Sequence, residues 1–285
     1  MEGRKVVLIT GCSSGFGYLT ALKFARNRYQ TFAGVRNLES PGAKKLEELK
    51  IQEDLQLEVL KIDVTDNESV RRGVEAILRQ EKRIDILINN AGFGTVGPVE
   101  EFSLDEIKDQ YETNVYGVLR MIKAVAPTMR AQKSGHIINI SSIAGLVTFP
   151  LYGLYSSSKR ALEGLTEDLR FDLSHFGIKV VLVEPGSFGT SFSQNRKTPQ
   201  SLTSQNSPYK DLAEKFNNRY RKFQKKVFAQ DGDPQKVADL IYRIANQSKP
   251  AARYLVGNDA CLYYYLRRFV PNFLWEYLLH RVYRW

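Results

Sequence analysis

Cysteine is scarce in this 285-residue chain: Cys12 and Cys261 stand almost its whole length apart. Two distant thiols exclude a disulfide scaffold and suit a reducing compartment. They cannot complete a zinc site alone, and His136, His175 and His280 lack metal-ligand spacing, so no metal is expected. Long apolar runs are also missing, with nothing near the roughly 18 residues of a membrane span. Glu2, Arg4 and Lys5 lead straight into a short apolar run, which is not the core of a secretory leader. A cytoplasmic protein is expected, with peripheral membrane contact as a lesser alternative. The remaining composition, 43% hydrophobic and 25% charged, is ordinary for a soluble globular chain and excludes a disordered or collagen-like one.

Overall charge balance is lacking, but only locally. The net charge is +10, of which residues 193–228 carry +7 and residues 261–285 carry +3. The rest of the chain is balanced. Two local basic surfaces fit this pattern better than a nucleic-acid binder, so no nucleic-acid partner is expected.

The length allows one large domain or two small ones. Apolar runs at Val6–Thr10, Thr31–Val35, Leu57–Val64, Ile84–Asn89, His136–Ser141 and Ile178–Val183 lack strict alternation, as strands covered on both faces do. Helix-length segments separate them. Thr65 with Glu68, and Ser103 with Glu106, have capping-box spacing. The expectation is an α/β fold: one Rossmann-type, doubly wound domain over 1–285, with about seven parallel strands and helices on both faces. Residues 187–208 are rich in Ser, Gln, Asn, Thr and Pro and read as a loop; 209–228 read as a basic helix, 235–247 as an amphipathic helix and Ala252–Val256 as a last strand.

Gly11, Gly15 and Gly17 follow the first strand and open the first helix, with Cys12, Ser13, Ser14 and Phe16 between them. Such a loop lets backbone approach a pyrophosphate at a helix N-terminus. The G-x3-G-x-G spacing is weak taken alone, and an ordinary turn is the competing reading. After the second strand stands Arg36, and the first acid is Glu39. A guanidinium, with the Ser13 hydroxyl nearby, suits a ribose 2′-phosphate and favours NADP(H) over NAD(H); a solvated strand-end arginine is the alternative.

Tyr155 and Lys159 are four residues apart, hence on one helix face. A cation beside a phenol lowers the phenol pKa and makes it a workable acid or base near neutral pH. Ser142 lies just past the strand at His136–Ser141. With the glycine loop, Asn89–Gly92, Asn114 and Pro185–Thr190, these residues occur in an order that closely resembles the short-chain dehydrogenase/reductase family over about residues 4–190. The resemblance implies that Tyr155 exchanges a proton with the substrate oxygen, that Ser142 holds that oxygen, and that Lys159 binds the nicotinamide ribose and tunes Tyr155. It implies that Asn114 holds a water in a proton relay, unless it merely bonds backbone as a helix-interior Asn. Asn90, Ala91 and Gly92 would line the cofactor, Asp63 would meet the adenine or else cap its strand, and Pro185, Gly186 and Thr190 would wrap the nicotinamide.

More softly, Ala33–Leu38, Asn89–Val99 and Arg267–Pro271 are similar to the branch with 17β-hydroxysteroid dehydrogenase type 1 and retinol dehydrogenases. That implies a lipophilic carbonyl or alcohol, with residues 187–228 as a lid. A 3-oxoacyl-type reductase and a non-catalytic NADP(H)-binding sensor are the alternatives. The family habit is a homodimer or homotetramer. Nine of the last 25 residues are aromatic, and an extension at about 258–285 is expected to end in a helix from Asn272 with Leu274, Leu278, Val282 and Trp285 on one face. Internal or subunit packing of that face is favoured over an interfacial anchor.

Overall fold

The β-branched runs become seven parallel strands: β1 (Val6–Thr10), β2 (Gln30–Val35), β3 (Leu57–Lys61), β4 (Ile86–Asn89), β5 (Gly135–Ile140), β6 (Ile178–Pro185) and β7 (Arg253–Val256). They lie in the order β3-β2-β1-β4-β5-β6-β7 in a computed structural model that describes residues 4–203, 207–216, 218 and 232–283. Every residue of β1, β2 and β4 is buried, which is why these runs show no polar alternation. One core layer holds Phe24, Leu46 and Ile241; the opposite layer holds Ile77, Met121 and Leu162. The helices α1 (Gly15–Arg26), α2 (Pro41–Gln52), α3 (Asn67–Glu81), α5 (Gly117–Gln132), α6 (Gly153–Ser174) and α7 (Gln235–Ala245) supply these layers; α4 (Leu104–Tyr111), between α3 and α5, puts no side chain into either.

Strand order reverses at β1, which pairs with β2 on one side and β4 on the other. Loops leaving the carboxyl ends of β1 and β4 therefore part to opposite faces and open a crevice, the usual ligand position in such sheets.

Local signals were met at one helix start and corrected at another. At α4, Ser103 Oγ accepts from Glu106 N at 3.2 Å and Glu106 Oε2 accepts from Ser103 N at 2.8 Å, a complete capping box. At α3 the cap is Asp66, which accepts from Glu68 N at 2.9 Å. Thr65 is diverted: its hydroxyl donates to Asp63 Oδ1 at 2.7 Å. Of the expected basic helix, residues 210–216 are helical, and most of the remainder lies outside the described residues.

The chain ends in two helices, α8 (Asn258–Phe269) and α9 (Asn272–Tyr283). The expected inward stripe on α9 is displaced by one position. Leu274 is 39% exposed, whereas Trp275 is 8% exposed and packs with Ile143, Val147 and Ala260. The largest apolar side chain takes the inward place, where it removes most area from water. The side chains of Val282 and Trp285 lie outside the described residues.

Candidate active site

The loop after β1 turns tightly because Gly11 has φ +72°, a left-handed conformation that disfavours side chains. Gly17 matters through close approach. A Cβ there would stand 2.4 Å from both Asn90 Nδ2 and Gly11 O. The space is taken by the Asn90 carboxamide, which donates to Thr10 O at 2.9 Å and Gly11 O at 3.1 Å. Thr10 Oγ1 in turn accepts from the amides of Asn90 and Ala91, each at 3.1 Å. The two loops are thus laced together at the mouth of the crevice. Ser14 precedes α1 without a side-chain cap bond, leaving the helix N-terminus to an outside anion.

A cavity of about 770 Å³ runs from this loop across the sheet. Of the expected cofactor residues, Gly11, Ser13, Ser14, Gly15, Phe16, Arg36, Asp63, Asn90, Ala91, Gly92, Tyr155, Lys159, Pro185, Gly186 and Thr190 line it, and Ser142 lines it with them. Gly17 and Asn114 do not. Gly17 acts from behind Asn90, and Asn114 is fully buried. Arg36 is exposed at the end of β2 and makes no hydrogen bond or ion pair among the described residues. Glu39 is drawn onto Lys44 at 2.9 Å. One Asp63 oxygen accepts from Thr65.

The far end of the cavity carries the phenol, amine and hydroxyl. Tyr155 sits in an apolar cluster with Val96, Ala144, Tyr152 and Phe216, its ring centre 5.6 Å from that of Phe192. Lys159 lies one turn on, buried, with Nζ 5.9 Å from the centre of the Tyr155 ring and donating to Ile140 O at 2.8 Å. Burial brings the ammonium down to about 8, while the Glu163 carboxylate pulls the other way. Ser142 leaves β5 in extended conformation, and its Oγ accepts from Ala144 N at 3.1 Å. That bond occupies an acceptor site and leaves the hydroxyl proton to donate.

Asn114 lies in a π-helical turn, Glu112–Tyr116, that joins α4 to α5. Its carboxamide accepts from Phe93 N at 3.2 Å and donates to Phe93 O at 3.0 Å and Ser158 Oγ at 3.2 Å. The side chain is thus engaged with the Phe93 backbone and Ser158.

Several residues of the site carry no local signal in the sequence. Asp259, at the start of α8, accepts from Ser187 N at 2.8 Å, and a Cβ on Gly186 would stand 2.0 Å from its Oδ1. It therefore ties down the loop after β6. Phe149, Tyr152, Phe192 and Tyr263 give the far end of the cavity aromatic walls. Behind Lys159, Glu163 and Glu184 are 8% and 0% exposed and face Arg253, whose Nη1 donates to Glu184 Oε1 at 2.9 Å. Burial pushes both carboxyls up, and the Glu163 charge adds to the rise at Glu184, which reaches about 8.

Residues 5–201 match the family model described as short chain dehydrogenase. The chain belongs to the short-chain dehydrogenase family. It is therefore grouped with oxidoreductases that act on CH–OH groups. The chain is 37% identical to a 3-ketodihydrosphingosine reductase from Bacteroides thetaiotaomicron over 280 residues, 98% of each. It is 36% identical to retinol dehydrogenase 8 from Homo sapiens over 255 residues, 87% of this chain and 80% of that one. Among solved structures, a short-chain dehydrogenase from Streptomyces avermitilis superposes with TM-score 0.81 at 32% identity, covering 93% of both chains. One from Burkholderia phymatum, in complex with NAD, gives TM-score 0.79 at 26% identity over 93% of both chains. These short-chain dehydrogenases share the expected fold, and the resemblance read from the motifs is borne out.

Proposed function

We propose that this short-chain dehydrogenase is an NADP(H)-dependent oxidoreductase of lipophilic carbonyls and alcohols. The observation that carries this reading is one cavity with Arg36 and the glycine loop at one end and Ser142, Tyr155 and Lys159, walled by aromatic rings, at the other. The cradle suits a dinucleotide: the α1 N-terminus is uncapped by Ser14, and the Gly17 and Gly186 positions have no room for a Cβ. Arg36 without a partner among the described residues, and Glu39 held by Lys44, favour a 2′-phosphate over a bare ribose. Asp63 is left for the adenine end, and Pro185, Gly186 and Thr190 for the nicotinamide end.

When bound, the nicotinamide supplies or takes the hydride. Ser142 donates its hydroxyl proton to the substrate oxygen and fixes it, an oxyanion-type role. Tyr155 gives that oxygen a proton in reduction and removes it in oxidation. Lys159, as an ammonium, favours the phenolate and binds the ribose hydroxyls with the donors not spent on Ile140. Since the Asn114 side chain is engaged, a relay water would rest on its main-chain carbonyl. The lipophilic substrate is argued from Phe149, Tyr152, Phe192 and Tyr263, and from relatives named for a ketosphingoid and a retinol. The lid of the single domain is assigned to residues 187–228, of which 204–206, 217 and 219–228 lie outside the described residues; Phe192 and Lys197 belong to the described part and line the cavity. Leu104, Tyr116 and Phe171, exposed on α4, the π turn and α6, suit a homo-oligomer contact.

The test is NADPH and NADH oxidation across carbonyls from short aldehydes and acetoacetyl thioesters to retinal, keto-sphingoid and keto-steroid. The expected result is NADPH preference and kcat/KM rising with lipophilicity. NADH preference would overturn the Arg36 argument. A thioester optimum would make the chain a 3-oxoacyl-type reductase, and tight NADPH binding without turnover in either direction would make it a sensor.

A further inference from the structure

Helices α8 and α9 use one side of themselves internally. Trp275 and Ala260 pack on Ile143 and Val147, and Leu279, Tyr263 and Val270 join them. The outward side is also apolar. Leu262, Tyr265 and Phe269 follow a three-and-four spacing on α8, which places them on one face; they are 57%, 55% and 74% exposed. Phe273 and Tyr277 repeat this on α9, with Leu274 beside them. Six of the 13 large hydrophobic residues exposed among the described residues fall within these 16 positions. Single exposed apolar residues are ordinary, but a concentration of them marks a contact surface.

The charge beside this face is basic. Arg268 donates to Tyr264 Oη at 3.0 Å and Arg281 to Tyr277 Oη at 3.3 Å. Neither they nor Arg267 make an ion pair among the described residues. A groove of about 290 Å³ beside them is lined by Phe149, Trp275, Leu279, Arg160, Arg267 and Glu276, so two cations and one anion stand over an apolar floor. Phe149 lines this groove and the substrate cavity alike, and its ring meets Tyr263 edge-on at 5.0 Å. Among the described residues no helix is long and apolar enough to cross a membrane. A second copy suits this face poorly, because a two-fold contact would bring its unpaired arginines together.

We propose that the outward face of α8 and α9 is a docking surface for an anionic phospholipid bilayer, with its aromatic side chains in the acyl boundary and Arg160, Arg267, Arg268 and Arg281 toward lipid phosphates. Amphipathic faces with aromatic and basic side chains bind in this way without spanning. The docked protein holds the Phe149 side of its cavity near the lipid phase. This last consequence rests on the lipophilic-substrate reading; the docking itself does not.

The experiment is co-sedimentation of the full chain with phosphatidylcholine vesicles and with vesicles containing 30% phosphatidylglycerol, read by bound protein rather than turnover. The double variant Phe269→Ser, Phe273→Ser is the main comparison, and a short water-soluble carbonyl reports its integrity. Binding to anionic vesicles should be at least tenfold tighter and weakened by salt. The double variant should lose at least tenfold in binding, with soluble turnover within twofold of the parent. Absent binding to anionic vesicles, or equal binding by the variant, overturns the proposal. So does a dimer that the double variant dissolves while vesicles bind neither protein, since the face would then serve a second copy.

Discussion

Replacing Gly17 by Ala puts the least possible new atom at the most crowded point of the cofactor loop. The added carbon would stand 2.4 Å from Asn90 Nδ2 and Gly11 O, about 1 Å inside ordinary contact. Gly11 O is backbone, so the loop must shift, at about 1–3 kcal/mol for overpacking. The two Asn90 bonds, 2.9 and 3.1 Å, would be strained or lost, at about 0.5–1.5 kcal/mol each. A loss of roughly 2–6 kcal/mol follows, or some 4–24 °C in Tm at about 2–4 °C per kcal/mol for a large domain. NADPH binding should weaken by at least about tenfold, because the displaced groups frame the pyrophosphate cradle. Gly164→Ala is the control. It is exposed in α6 with nothing within 4 Å of the added carbon, so it should raise stability by about 0.5–1 kcal/mol. Thermal melts with and without NADPH, and a fluorescence titration, read both effects. The reasoning fails if Gly17→Ala melts and binds NADPH like the parent, or if both alanines behave alike.

Arg36→Asp should weaken NADPH by about 10- to 100-fold and leave NADH nearly unchanged, since a charge-assisted bond of roughly 1.5–3 kcal/mol becomes a repulsion; equal losses for both cofactors would remove Arg36 from the phosphate. Stability should fall as pH rises from about 4.5 toward 8. The folded chain keeps a proton on Glu184, pushed up to about 8 by burial and by Glu163, that the unfolded chain releases. Lys159, brought down to about 8, acts in the opposite sense only above that pH. Glu184→Gln should flatten the lower slope, and an unaltered Tm profile between pH 5 and 8 would contradict this. Cys12 is fully buried, donates to Ile9 O at 3.3 Å, and has its thiol pushed up by burial, so native protein should take up at most one equivalent of maleimide, at Cys261, and two once denatured. Two equivalents on native protein would refute it.

The strands were legible because each run is short, β-branched and bounded; their edges differ from expectation by at most three residues. The glycine loop, Ser142, Tyr155 and Lys159 were legible because the fold delivers them at fixed offsets from strand ends. Other features depend on tertiary contact. Asp66 outcompetes Thr65 as a cap because Asp63 engages the Thr65 hydroxyl. The π turn at Asn114 has no distinguishing composition. Asp259 reaches Ser187 across 72 residues, and Glu163, Glu184 and Arg253 meet from α6, β6 and β7. Glu163, one turn past Lys159, was the available hint of that cluster. On α9 the apolar residues surround the helix so widely that periodicity alone could not rank Trp275 above Leu274.

Tyr155 is assigned the proton that accompanies hydride transfer. The most direct test is carbonyl-dependent NADPH oxidation by Tyr155→Phe, with NADPH affinity measured on the same preparation. Cofactor binding should stay within a few-fold of the parent and turnover should fall by about 10²–10⁴, the usual share of a positioned acid. Turnover within several-fold of the parent, at unchanged binding, would contradict this assignment.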